Sequence, residues 1–138
     1  MDFVLTERAP TVAEYQSLIA SVGWKRRDPE AIAASLKQSF VSVCAASAEA
    51  LVGMGRVISD GGLHYYITDV VVRPDWHRQG IGTSIVNQLN ERLDRLQYAN
   101  TFVGVVATPG SQPFYENLGY KAQNSDGPAM FRWLNATT

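Results

Sequence analysis

The stretch Val70-Val71-Val72-Arg73-Pro74-Asp75-Trp76-His77-Arg78-Gln79-Gly80-Ile81-Gly82-Thr83 limits what this chain can fold into more than any other. A β-branched run reaches a proline, passes through polar residues and meets two glycines where a helical pattern opens. That order predicts a strand, a loop and a helix N-terminus. Ile81, Ile85, Val86, Leu89, Leu93 and Leu96 recur at helical spacing, while Asn87, Gln88, Asn90, Glu91, Arg92, Asp94 and Arg95 fill the other face. Such a helix lays its apolar stripe on a sheet, and its N-terminus sits at the end of the preceding strand, where open α/β sheets bind ligands. Its first-turn N–H groups have no partner within the helix, and Gly80 and Gly82 bear no side chain to hold a ligand off. With the positive end of the helix dipole, those donors suit a phosphate or pyrophosphate.

Two familiar phosphate-binding motifs are excluded. The nucleotide loop needs a Lys-Ser/Thr pair directly after its second glycine, and that pair is absent. The dinucleotide fingerprint needs a third glycine and a glycine-rich turn directly after the strand, and neither is present. Here Gly-x-Gly stands behind Val-x-Pro-Asp-Trp and before a long amphipathic helix.

In that context the chain resembles the GNAT family of acetyl-CoA-dependent N-acetyltransferases. The family's Val-x-Pro-x-aromatic element, followed by Gln/Arg-x-x-Gly-x-Gly/Ala, is matched by Val72 to Trp76 and by His77 to Gly82. His77 departs from the pattern, since that position is usually Gln or Arg. A second element, Pro113-Phe114-Tyr115-Glu116-Asn117-Leu118-Gly119-Tyr120, looks like the family's Phe-Tyr-x-x-Leu-Gly-Phe/Tyr helix. The runs Ser59 to Gly62, Asp69 to Val72 and Asp126 to Phe131 look like the plant and bacterial branch that includes serotonin N-acetyltransferase.

The resemblance implies a fold and a chemistry. The fold is a single α+β domain over residues 1–138, with a mixed, mostly antiparallel, twisted sheet flanked by helices. The donor is acetyl-CoA, whose pyrophosphate would meet Arg78, Gln79, Gly80, Ile81, Gly82 and Thr83, and whose pantetheine arm would pair with the main chain of Val70, Val71 and Val72, as a peptide adds to a sheet edge. Acetyl transfer needs a proton for the leaving thiolate, and the family's tyrosine, here Tyr115, is the general acid. A phenol with a pKa of about 10 stays protonated at neutral pH and can donate. Asp69, beside the cofactor strand, is the candidate to attract the amine or take its proton, with a salt-bridging carboxylate near a strand bulge as the alternative. Some of His64, Tyr65, Tyr66 and Thr68 line the acceptor pocket. Thr108 stands near the place where many relatives have an asparagine before the tyrosine helix.

The remaining residues bound the reading. A net charge of −1 argues against nucleic acid and anionic membranes as general partners. Lys25-Arg26-Arg27, followed by Asp28 and Glu30, reads as a solvated approach to a helix, with a contact to a nucleotide phosphate as the alternative. The single cysteine, Cys44, lies in an apolar run and excludes an internal disulfide. It also lies in another strand from the cofactor groove, which favours direct transfer over an acetyl-cysteine route. His64 and His77 have no ligand pattern around them, so no metal is expected. Neither a signal peptide nor a spanning apolar stretch is read, and the cytoplasm is the default location. The expected activity is therefore N-acetylation of a small-molecule amine, with a homodimer left open. The competing reading is a coenzyme A-binding sensor or interaction domain without turnover.

The element reading completes the expectation. Phe3-Val4-Leu5 is a first strand; Thr11 caps a helix carrying Val12, Tyr15, Leu18, Ile19 and Val22; Asp28 caps another that begins at Pro29. Strands follow at 39–46 and 50–59, and Asp60-Gly61-Gly62 turns into the strand ending at Val72. Thr101 to Val106 is expected as a central strand buried on both faces. Ser111-Gln112-Pro113 starts the Tyr115 helix, Gly119 closes it, and short strands near 120–124 and 128–134 end the chain.

Overall fold

The computed structural model describes residues 2–122, 129, 130, 132 and 133. The chain divides into two compact units, residues 1–106 and 107–138. The first holds strands β1 (Val4–Thr6), β2 (Val41–Ala46), β3 (Leu51–Ser59), β4 (His64–Val72) and β5 (Phe102–Val105), with helices α1 (Val12–Ser21), α2 (Pro29–Lys37) and α3 (Ile81–Asp94). The sheet runs β1-β2-β3-β4-β5, antiparallel at its first three junctions and parallel between β4 and β5. The α+β class and the mixed, mostly antiparallel sheet stand as expected.

Local chemistry sets the helix starts. The Thr11 hydroxyl accepts from the Glu14 N–H at 3.1 Å, and the Glu14 carboxylate accepts from the Thr11 N–H at 2.8 Å. This reciprocal capping box satisfies two donors that the first turn would leave orphaned. Asp28 accepts from the N–H groups of Glu30 and Ala31, with Pro29 inside the first turn.

Helices on both faces bury β3. On one face Tyr15, Leu18, Ile19 and Ile32 pack with Cys44, Leu51, Met54 and Val71. On the other lie the buried residues of α3: Ile81, Ile85, Val86 and Leu89. Each such Leu or Ile side chain contributes about 1.5–3 kcal/mol by leaving water. Two glycines set how close α3 comes. A Cβ on Gly55 would stand 2.6 Å from Ile85 Cγ2, and one on Gly53 would stand 3.2 Å from both Ile81 Cγ2 and Ile85 Cδ1. Glycine in a strand interior here marks close approach of a helix.

One expectation is corrected. Among the described residues β5 is the last strand of the sheet, paired on its β4 side, and is not buried on both faces: Phe102 is 51% exposed. Its apolar run reflects ring contacts along one face, where Phe102 meets Tyr66 with ring centroids 5.6 Å apart. The strand expected at 128–134 lies largely outside the described residues, and Tyr120 to Ala122, the described part of the one expected at 120–124, form no strand.

The second unit contains α4 (Gln112–Glu116), with Pro113 in its first turn. The N–H groups of Leu118 and Tyr120 both donate to the Tyr115 carbonyl, and Gly119 takes φ 99°, which ends the helix.

Candidate functional site

The end of β4 and the start of α3 are joined as the sequence predicts, with a 3-10 turn at Pro74–Trp76 between them. Arg73 anchors the turn. Its N–H donates to Val52 O at 2.8 Å, and its guanidinium donates to Leu51 O and to the Ser17 hydroxyl. The His77 N–H donates to Pro74 O, and its Nε2 donates to Val72 O at 2.8 Å. Because a carbonyl only accepts, that geometry fixes the proton on Nε2.

Two residues then turn left-handed, Arg78 at φ 64° and Gly80 at φ 77°. Gly80 is the N-cap of α3, and no side chain caps the helix. The first turn holds no acidic residue, and the first backbone bond is from the Ser84 N–H to Gly80 O. The amides of Ile81, Gly82 and Thr83 are thus the orphan donors of a 14-residue helix. They sit in a segment whose charges are Arg73 and Arg78 against Asp75. Such an end binds anions. Gln79 completes the loop, and Ile81 plays a double part: its side chain is core, its N–H is in the first turn.

The strand leading into this turn has a break in its pairing. β4 pairs with β5 from His64 to Ile67, and no residue from Thr68 to Val72 has a β5 partner. On its other edge β4 stays paired with β3, but the register shifts: Arg56 faces Thr68, whereas Met54 faces Val71. Gly55 therefore stands opposite both Asp69 and Val70, which is a β-bulge, with Asp69 at φ 55°. The bond from Arg73 to Val52 sets the phase beyond the bulge. Val71 turns its N–H and C=O toward Met54, and Val70 and Val72 turn theirs toward the open edge. Of the three valines expected to serve a ligand through the main chain, Val71 has its groups in the β3 ladder. Val72 O is taken by His77.

Asp69 is 8% exposed, and its Oδ2 accepts from Arg56 Nε at 2.8 Å. The charge of the same carboxylate also acts on the phenol of buried Tyr15. Burial first, then the Asp69 charge, pushes that phenol up to about 12. The carboxylate is thus one partner of a buried ion pair with Arg56. Arg56 and Tyr15 were not singled out by the sequence reading. Of the residues expected to line an acceptor pocket, Tyr65 is core, 2% exposed and edge-on to Phe40. His64 pairs with Asp60, Tyr66 is 41% exposed, and Thr68 is half-buried opposite Arg56.

In the second unit Tyr115 is buried, with Phe114 and Tyr120 packed edge-on at centroid distances of 4.9 and 6.2 Å. Burial raises its phenol above the usual value. Cys44 is buried, and its thiol is pushed up to about 11 by desolvation. Among the described residues no three His, Cys, Asp or Glu side chains group as metal ligands, and no helix is long and apolar enough to cross a membrane.

Comparison with known proteins agrees with this geometry. The family model described as an acetyltransferase (GNAT) domain matches residues 12–135. An uncharacterized N-acetyltransferase, ycf52, of Pyropia yezoensis is 30% identical over 124 residues, covering 87% of this chain and 70% of that protein. The GCN5-related N-acetyltransferase 2, chloroplastic, of Arabidopsis thaliana is 31% identical over 140 residues, covering 87% of this chain and 54% of that protein. The chain thus spans about half the length of the Arabidopsis relative. A crystal structure of a probable acetyltransferase of unknown function from meticillin-resistant Staphylococcus aureus shares the fold, with a TM-score of 0.90 and 24% identity over 96% of this chain and 100% of that one.

Proposed function

This chain belongs to the GNAT acetyltransferase family, and we propose that it moves the acetyl group of acetyl-CoA directly to a primary amine in a ternary complex. One observation carries the reading: an uncapped helix N-terminus, entered through left-handed Gly80, directly follows a strand whose outer edge, among the described residues, is unpaired from Thr68 to Val72. A ligand with a pyrophosphate at one end and amides along its arm has the chemistry to use both.

In this reading Arg78, Gln79 and Gly80 shape the loop, and the amides of Ile81, Gly82 and Thr83 hold the pyrophosphate. The open-edge main chain of Val70 and the Val72 N–H orient the pantetheine amides. The amine nitrogen attacks the thioester carbonyl, the carbon–sulfur bond breaks, and Tyr115 gives its phenolic proton to the departing thiolate. Burial supports that role by keeping the phenol protonated throughout the neutral range. The amine proton leaves to water, and Asp69 is assigned to the strand rather than to proton transfer. The acceptor is a small-molecule amine. The reaction takes place in an aqueous compartment, the cytoplasm or, as for the chloroplastic Arabidopsis relative, a chloroplast.

The test is a panel of arylalkylamines, polyamines, amino sugars and peptide N-termini with acetyl-CoA, followed by release of free thiol. Release with a small amine supports the proposal. Calorimetric binding of coenzyme A with no release from any amine would replace it with a sensor that binds without turnover.

A further inference from the structure

We propose that Arg56 is a positioning residue for the donor-binding edge of β4, acting through Asp69, whose left-handed backbone makes the bulge that parts β4 from β5. The proposal rests on the reading of that edge as the place where the pantetheine arm lies.

The bulge is where three changes coincide. β4 stops pairing with β5 after Ile67, the β3 register shifts by one residue, and the chain passes through φ 55° at Asp69. An extra residue in one strand bends it and increases its twist, so the segment beyond can leave its former neighbour. Beyond the bulge Val70 stands over Gly55 on the α3 face, its Cγ2 3.4 Å from where a Cβ would be, and Val71 joins the Tyr15 and Met54 cluster on the other face. The phase of this segment decides which main-chain groups meet the open edge.

Asp69 does not favour φ 55° as glycine would. Something must hold it, and the surroundings supply an anchor. Arg56 Nε grips the carboxylate at 2.8 Å, and its NH1 is fixed by the Ser39 hydroxyl at 3.1 Å and by Ser35 O at 3.4 Å, at the end of α2. The Asp69 side chain is therefore tied through Arg56 to the end of α2, and its backbone cannot return to an extended conformation without breaking a buried ion pair. Such a pair adds little net stability compared with apolar residues of the same size. Its use here is to select one backbone geometry.

Two double variants separate this role from others, because each deletes both charges and leaves no buried ion alone. Arg56→Met/Asp69→Gly keeps a residue that adopts φ 55° freely, whereas Arg56→Met/Asp69→Ala does not. Calorimetric titration with coenzyme A, alongside thermal melting to confirm folding, should give the glycine double variant a Kd within about threefold of wild type. The alanine double variant should be at least about tenfold weaker. The single variant Arg56→Met should resemble the alanine double variant. At saturating acetyl-CoA the glycine double variant should keep its kcat within about threefold, so that changes appear in the KM for acetyl-CoA.

Equal affinity for coenzyme A in the two double variants would overturn the proposal, as would a kcat lost by orders of magnitude in the glycine variant with its Kd intact, which would make Asp69 the base. A wild-type chain that binds no coenzyme A would remove the donor reading itself, and the proposal with it. Binding by wild type with all variants unchanged removes only the role of Arg56.

Discussion

Replacing Gly80 with alanine isolates backbone conformation from packing. Gly80 has φ 77°, and a Cβ placed there meets nothing within 4 Å. Steric crowding by neighbours is therefore not part of the effect, and what remains is the preference of an L-residue against the left-handed region, about 1–2 kcal/mol. That energy has two places to go. If the loop keeps its shape, the folded state bears the strain and Tm falls by about 3–4 °C per kcal/mol for a chain of this size. If the loop relaxes to negative φ, the first-turn amides of α3 swing out of convergence and the loss appears as a rise in the coenzyme A Kd of about 5- to 30-fold. Differential scanning calorimetry and isothermal titration on one preparation measure both parts, and their sum should fall in that range. Gly80→Asn, with a side chain better tolerated in the left-handed region, should lose markedly less. An alanine variant unchanged in both Tm and Kd would refute the left-handed cap. A full Tm loss with unaltered affinity would take the loop out of the ligand site.

Three further outcomes follow from the same structure. Tyr115→Phe keeps the ring and removes the donor, so kcat should fall about 10²–10⁴-fold while the coenzyme A Kd, measured by titration, stays within about threefold. Gly55→Ala drives a methyl group against Ile85 Cγ2, 2.6 Å away, and should lower stability by about 1–3 kcal/mol in denaturant unfolding. Glu14 is held at about 2, first by its hydrogen bonds from Arg8, so its contribution is complete above the ordinary value of 4.5 and fades as pH falls toward 2. Glu14→Gln can keep the capping interaction, and the Tm gap between it and wild type should close across that window.

Much of the fold could be read because its signals are local. Thr11 and Asp28 cap the helices at the expected positions, Pro29 opens α2, and the spacing from Ile81 to Leu93 gives the buried stripe of α3. The loop before α3 was equally open, since a strand, a proline and two glycines encode it within fourteen residues. β5 was misjudged for the opposite reason. Four residues of apolar character say that a strand exists and nothing about what lies on each side, which depends on distant segments.

The heart of the β4 edge was legible only in part, and the reason lies in register. Arg56 interrupts the apolar run Leu51 to Ile58, and Asp69 interrupts the run Ile67 to Val72. Each is a charge in a stretch that otherwise reads as buried, and buried charges need partners. The hairpin through Asp60-Gly61-Gly62 brings the two strands together, but simple continuation of its pairing sets Arg56 against Thr68. The one-residue insertion sets Asp69 beside Arg56 on the same face, and no local motif announces an insertion. Opposite charges placed singly in neighbouring strand patterns, one residue out of register, were the available signal for the bulge. Taken alone, Asp69 offers an acid beside a cofactor strand and suggests a base. Taken with Arg56, it is a buried carboxylate held in an ion pair, and its left-handed backbone makes the bulge beyond which the main-chain groups of Val70 and Val72 turn away from β3.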